Sequence, residues 1–141
     1  MMVLVGGQCR KVGKTTAVCQ IIAAIPEANW MAYKVTPHQH AADSSRDSDT
    51  ERYLRAGAVS AELVEGSMPH LPAGANVIIE SNAAIEYFEP DVVLYIADPD
   101  SADVKPSAAA VERHAQFRIN ARTDVPSEML DVIRRKLSAP L

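Results

Sequence analysis

Val3-Leu4-Val5-Gly6-Gly7-Gln8-Cys9-Arg10-Lys11-Val12-Gly13-Lys14-Thr15-Thr16 is the stretch whose reading decides the fold. The leading aliphatics form a run without alternation and end in two glycines, which reads as a buried strand entering a tight turn. Lys14–Ile25 has helical length and composition, and Pro26 stops it. A strand, a glycine-rich loop and a helix in that order make a phosphate-binding loop. Backbone N–H groups around Gly13 and the helix start face the anion, and Gly13 is small because the backbone must approach it closely. Lys14 supplies charge to the β/γ-phosphates, and the Thr15 hydroxyl can ligate Mg²⁺. Nucleotide contacts are therefore expected along Gly7, Gln8, Cys9, Arg10, Lys11, Val12, Gly13, Lys14, Thr15 and Thr16. The spacing is Gly-x5-Gly-Lys-Thr from Gly7, because Gln8 stands where the commoner four-residue form has its first glycine. Arg10 and Lys11 either touch a phosphate or stay solvated.

Composition narrows the rest. The 141 residues are 48% hydrophobic and 23% charged, with a formal net charge of −4. They fit one domain, 1–141, and exclude a disordered chain. With two Phe, one Trp and four Tyr, the core must be mainly aliphatic. Mild acidity argues against nucleic acid and anionic membranes as partners. No stretch approaches the roughly 18 unbroken apolar residues of a membrane span. Cys9 and Cys19 lack CxxC spacing, and Met1–Gly7 has no basic region that would begin a signal peptide. Both point to a reducing, cytoplasmic setting.

Further strands are expected at Trp30–Val35, Val59–Val64, Val77–Ile79, Asp91–Ala97 and Gln116–Ile119. Helices are expected at Thr50–Ala56, Ser107–His114 and Ser127–Leu137, with Asp49 capping the first and Gly57 closing it. His38–Asp49 reads as a long polar loop. Continuously apolar strands alternating with helices belong to a mostly parallel sheet covered on both faces, a three-layer α/β domain. Ligands in such folds bind at the carboxyl ends of the strands. That rule gathers Gly7–Thr16, Thr36–Asp49, Glu80–Asn82 and Asp98–Lys105 at one site.

Several residues there are open to two readings. Asp43 could ligate Mg²⁺, whereas Asp47 and Asp49 flank the next helix and suit capping. His38 and His40 could bind a substrate phosphate or simply be solvated. Lys34 either contacts a substrate anion or is surface charge. Ser81 and Asn82 present polar groups to a ligand or make a local turn. Lys105 lies where a base or ribose is often held. Asn120 resembles the Asn of the guanine-reading Asn-Lys-x-Asp motif, with Ala121 in place of the Lys and Asp124 following.

The loop ending Val12-Gly13-Lys14-Thr15 resembles that of dethiobiotin synthetases and cobyrinic-acid-amidase-type NTPases. Asp47-Ser48-Asp49-Thr50-Glu51-Arg52-Tyr53-Leu54-Arg55-Ala56-Gly57-Ala58 is similar to a segment of the molybdopterin-guanine dinucleotide biosynthesis adaptor proteins (B component). Tyr33–His40 stands for that family's Lys and His-rich turn. Val77-Ile78-Ile79-Glu80 stands for its apolar strand, with Ser81 where the family has Gly. The resemblance runs in order over about residues 2–98. It implies a P-loop NTPase fold in which Glu80 manages Mg²⁺ or the attacking water, with Lys14 and Glu80 as the catalytic pair. It further implies Mg²⁺-dependent binding and slow hydrolysis of GTP or ATP by an adaptor that assists a cofactor-assembly enzyme. The alternatives are a phosphoryl-transfer or ligase enzyme like dethiobiotin synthetase, and a phosphate-binding module without turnover. The short chain leaves little room for a substrate domain, which suggests completion by a homodimer.

Overall fold

The apolar runs form six strands in one parallel sheet. The computed structural model describes residues 1–37 and 45–139. The strands are β1 (Met2–Gly7), β2 (Met31–Thr36), β3 (Ser60–Glu65), β4 (Val77–Glu80), β5 (Val92–Ala97) and β6 (Phe117–Asn120). The helices are α1 (Lys14–Ala24), α2 (Ser45–Ala56), α3 (Ala108–His114) and α4 (Ser127–Ser138), with short 3-10 turns at Pro26–Ala28 and Ala83–Glu86. Strand order is β3-β2-β4-β1-β5-β6, and every described pairing is parallel. The central strands β4 and β5 are buried along their whole length. That burial is why they carry no polar alternation.

Alternate side chains divide the core in two. Val3, Val5, Ile78, Leu94 and Ile96 face the layer of α1, α2 and α4, meeting Val18, Ile21, Ile22, Tyr53, Met129 and Ile133. Leu4, Ile79, Val93 and Tyr95 face α3 and the Ala83–Glu86 turn, meeting Ala84, Ile85, Ala108 and Val111. The result is the expected three-layer α/β architecture. The core holds Trp30 as well, fully buried before β2, with its indole N–H donating to the Ile25 carbonyl at 3.0 Å.

Two local outcomes differ from the sequence reading. α2 begins at Ser45, so Asp49 lies inside the helix and does not cap it. The segment Ser45–Asp49 is polar throughout, and a helix turn with no apolar stripe leaves no periodic trace. Gly57 does close α2. It has φ +120°, its N–H donates to the Leu54 carbonyl, and the Ala58 N–H donates to the Tyr53 carbonyl. That pair of bonds is the Schellman arrangement, and the left-handed φ explains the glycine.

The register sets what lies at the carboxyl edge. Val5 is level with Glu80, Lys34 with Glu80, Gly7 with Ile96, and Ala97 with Asn120. Gly7, Lys34, Glu80 and Asn120 therefore emerge along one end of the sheet.

Candidate functional site

The Gly7–Thr16 loop leaves β1 at the middle of this edge. Gly6 and Gly7 are glycine because their neighbours leave no space. A Cβ on Gly6 would sit 2.6 Å from Asn82 Oδ1 and 2.8 Å from Val111 Cγ1. One on Gly7 would sit 2.6 Å from Val12 Cγ1 and 3.2 Å from the Ile96 carbonyl oxygen. Asn82 fixes Gly7 from the other side. Its Oδ1 accepts from the Gly7 N–H and its Nδ2 donates to the Gly7 carbonyl, each at 2.9 Å. The loop then reverses through left-handed residues, Lys11 at φ 58° and Gly13 at φ 103°. Gly13 has open space around it and immediately precedes α1.

Lys14 opens α1 and folds its aliphatic stem back over Gly7. Among the described residues it makes no ion pair. Burial draws its ammonium below the ordinary lysine value, against the pull of Glu80, and the charges of Lys105 and Lys34 act in the same direction as burial. Such a partly desolvated cation, with no ion pair among the described residues, can receive an anion.

Next to it stands a closed polar network. The Thr15 hydroxyl donates to Glu80 Oε1 at 2.7 Å, and the Tyr53 hydroxyl donates to the same oxygen. Glu80 is only 4% exposed, and Lys34 Nζ lies 3.8 Å from its Oε2. Lys34 also pairs with Asp49. Burial first, and then the Glu80 charge and hydrogen bond, push the Tyr53 phenol far above its usual range, so it remains a donor. α2 supplies Asp49, Arg52 and Tyr53 together, with Arg52 donating to the Thr16 hydroxyl at 2.9 Å.

The opposite flank is built from backbone. Gln8 is 8% exposed, and its side chain is occupied within the protein. Nε2 donates to the Ser101 and Asp103 carbonyls at 3.1 and 3.0 Å, and Oε1 accepts from the Asp98 N–H at 2.9 Å. The Lys105 N–H returns to the Gln8 carbonyl at 2.8 Å. Beyond this clamp a cavity of about 260 Å³ opens beside the loop, bordered by Lys11, Gly13, Thr16, Gln20, Asn120 and Arg122. A larger groove, about 540 Å³ around Ile85–Pro90, Val93, His114 and Gln116, lies at the other end of the sheet. None of the site residues named here borders it.

The sequence-derived candidates sort as follows. Lys14, Thr15 and Glu80 come together, and Lys105 and Asn120 face the same loop. Lys34 is held by Asp49 and Glu80. Ser81 is buried and its Oγ accepts from the Ala84 N–H at 3.1 Å, making the local turn. Asn82 is occupied by Gly7. Asp124 falls one position beyond the Asp of an Asn-Lys-x-Asp motif, and its carboxylate accepts from Gln20 at 3.1 Å. His38, His40 and Asp43 lie outside the described residues, as does the side chain of Asp47. Tyr53 is the residue that sequence reasoning missed. Its signal is the i, i+4 spacing from Asp49, which sets both on one helix face.

The donor set bears on metal binding. Thr15 directs its proton to Glu80, which leaves hydroxyl lone pairs for a cation. Thr15 and Glu80 offer hard oxygens, the ligands Mg²⁺ takes. Among the described residues no group of three or more His, Cys, Asp or Glu could hold a metal by itself. An ion here would complete its shell from ligand oxygens and water, as Mg²⁺ commonly does with nucleotides. No helix among the described residues is long and apolar enough to cross a membrane. No protein-family model, curated protein or solved structure matches the chain.

Proposed function

We propose that this protein is a P-loop NTPase that binds GTP or ATP with Mg²⁺ and hydrolyses it slowly. The observation that carries the reading is the partly buried Lys14, without an ion pair among the described residues, beside the Thr15–Glu80 hydrogen bond. Both stand at the head of a helix that follows a Gly-x5-Gly-Lys-Thr loop. Loop N–H groups and Lys14 would take the phosphates, and Thr15 with Glu80 would hold Mg²⁺. The bound ion would neutralise charge on the phosphate oxygens. Glu80 receives two hydroxyl donors on one oxygen and faces Lys34 with the other. With both oxygens engaged, it suits orienting water better than abstracting a proton. The cavity bordered by Asn120 and Arg122 is where the base would lie.

The adaptor role in cofactor assembly, with a partner enzyme, rests on the resemblance over residues 2–98, and the homodimeric state on the small size of the domain. It gains support from a site edge on which the polar side chains of Ser81, Asn82 and Gln8 are all occupied within the chain. Among the described residues these three groups are thereby withheld from a second small substrate, which supports an adaptor over a phosphoryl-transfer enzyme.

Calorimetric titration with GTP and ATP, with and without Mg²⁺, tests the reading. Wild type should bind at least one nucleotide in a Mg²⁺-dependent way, and Lys14→Ala should weaken it by roughly ten- to a hundredfold. Equal affinity in the two proteins would overturn the proposal. Light scattering with and without nucleotide tests the dimer, which a strict monomer would exclude.

A further inference from the structure

Lys105 comes to the neighbourhood of Lys14 from another part of the chain. It belongs to the connection between β5 and α3, and its main-chain N–H donates to the Gln8 carbonyl at 2.8 Å. Gln8 is the second residue of the Gly7–Thr16 loop, and its buried side chain grips Asp98, Ser101 and Asp103 on the same connection. Four hydrogen bonds thus seat this connection against the loop. Among the described residues Lys105 makes no ion pair. Two acids of its own segment are engaged by another cation, Asp98 and Asp100 lying 3.5 and 3.2 Å from the Arg122 guanidinium, and Asp103, two residues before it, makes no ion pair among the described residues. Lys105 is also close enough to Lys14 for its charge to weigh on that ammonium, after burial and Glu80.

Neither lysine has an ion pair among the described residues, and their charges repel in the free protein. A folded chain keeps such a pair where an anion of high charge density relieves it. Resting on the nucleotide-binding reading, we propose that Lys105 is a second phosphate-binding cation, acting on the same phosphate end of the nucleotide as Lys14. This differs from the base or ribose contact that its place in the sequence suggests. Gln8 is then its positioning residue.

The test compares Lys105→Ala, Lys105→Arg and Lys14→Ala with wild type, by calorimetry against nucleoside triphosphate, diphosphate and the free nucleoside, all with Mg²⁺. The bond from residue 105 to Gln8 is made by the main chain, so both substitutions at 105 leave the seating of the segment intact. A thermal melt checks that it is. Lys105→Ala should weaken triphosphate binding by about tenfold, the worth of one charge-assisted contact. The loss should shrink for the diphosphate and vanish for the nucleoside, and Lys105→Arg should restore most of the affinity. If Lys105→Ala binds triphosphate like wild type while Lys14→Ala does not, Lys105 is no phosphate ligand and the nucleotide reading stands. An equal loss for nucleoside and triphosphate would return Lys105 to the base or ribose. If wild type binds none of the three, both proposals fall together.

Discussion

The two flanks of the Gly7–Thr16 loop solve different problems. On the β4 side, side chains meet side chains: Thr15, Tyr53 and Lys34 surround one buried carboxylate, Glu80, and Asp49 holds Lys34. On the β5 side, side chains hold backbone. Gln8 bonds main-chain groups of the 98–105 connection there, and Asn82, which leaves β4, does the same for Gly7; what they hold in place is the loop edge. The contrast teaches that the charged flank is specified by residue chemistry, whereas the other is specified by shape. Changes on the first should alter what the site does. Changes on the second should alter how firmly it stands.

The sharpest way to break this contrast is Glu80→Gln. The amide keeps an acceptor for Thr15 and Tyr53 but removes the charge. Stability should change little, and the Mg²⁺-dependent part of nucleotide affinity and turnover should fall by roughly a hundredfold in titration and phosphate-release assays. A protein with unchanged Mg²⁺ dependence would erase the distinction between the flanks. Asn82→Ala is the counterpart. It leaves the Gly7 N–H and carbonyl buried without partners, and should cost about 2–4 kcal/mol in urea unfolding. Gln8→Ala should cost about 1–3 kcal/mol. Its signature is local, with faster amide exchange in 98–105 than in β5. Tyr53→Phe should cost about 1.5 kcal/mol, since Glu80 keeps Thr15 and Lys34, and should lower turnover more than affinity. Smallest of all is Arg122→Ala, whose guanidinium is solvent-exposed and whose pairs with Asp98 and Asp100 should contribute under about 0.5 kcal/mol to stability. A larger destabilisation would mean that the cavity wall, too, depends on charge.

Much of the architecture was legible because strands and helices here carry strong one-dimensional signals. Val77–Glu80 and Val92–Ala97 are apolar runs of strand length, and Lys14–Ala24 begins at the loop and ends before Pro26. The first turn of α2 was not legible, because Ser45–Asp49 is polar and has no apolar stripe. The site divides in the same way. Lys14, Thr15 and Glu80 could be placed together, since strand order and the carboxyl-end rule suffice for residues at strand ends. The roles of Gln8, Asn82 and Tyr53 could not. Each depends on a partner between 27 and 95 residues away that only the folded register reveals. Asn82 and Gln8 look like ligand-binding polar residues in sequence because the same amide that would grip a ligand grips a backbone.

Trp30 has an optical consequence. It is the one tryptophan, it is fully buried, and it sits where β2 begins, at the end of the sheet away from Glu80 and Gly7. Its emission should therefore be blue-shifted in the folded chain and move to the red on unfolding, while staying indifferent to what fills the carboxyl edge. The molecule carries its own spectroscopic marker of integrity, separate from occupancy. Any variant of the loop that loses ligand yet keeps this colour has been disarmed and not denatured.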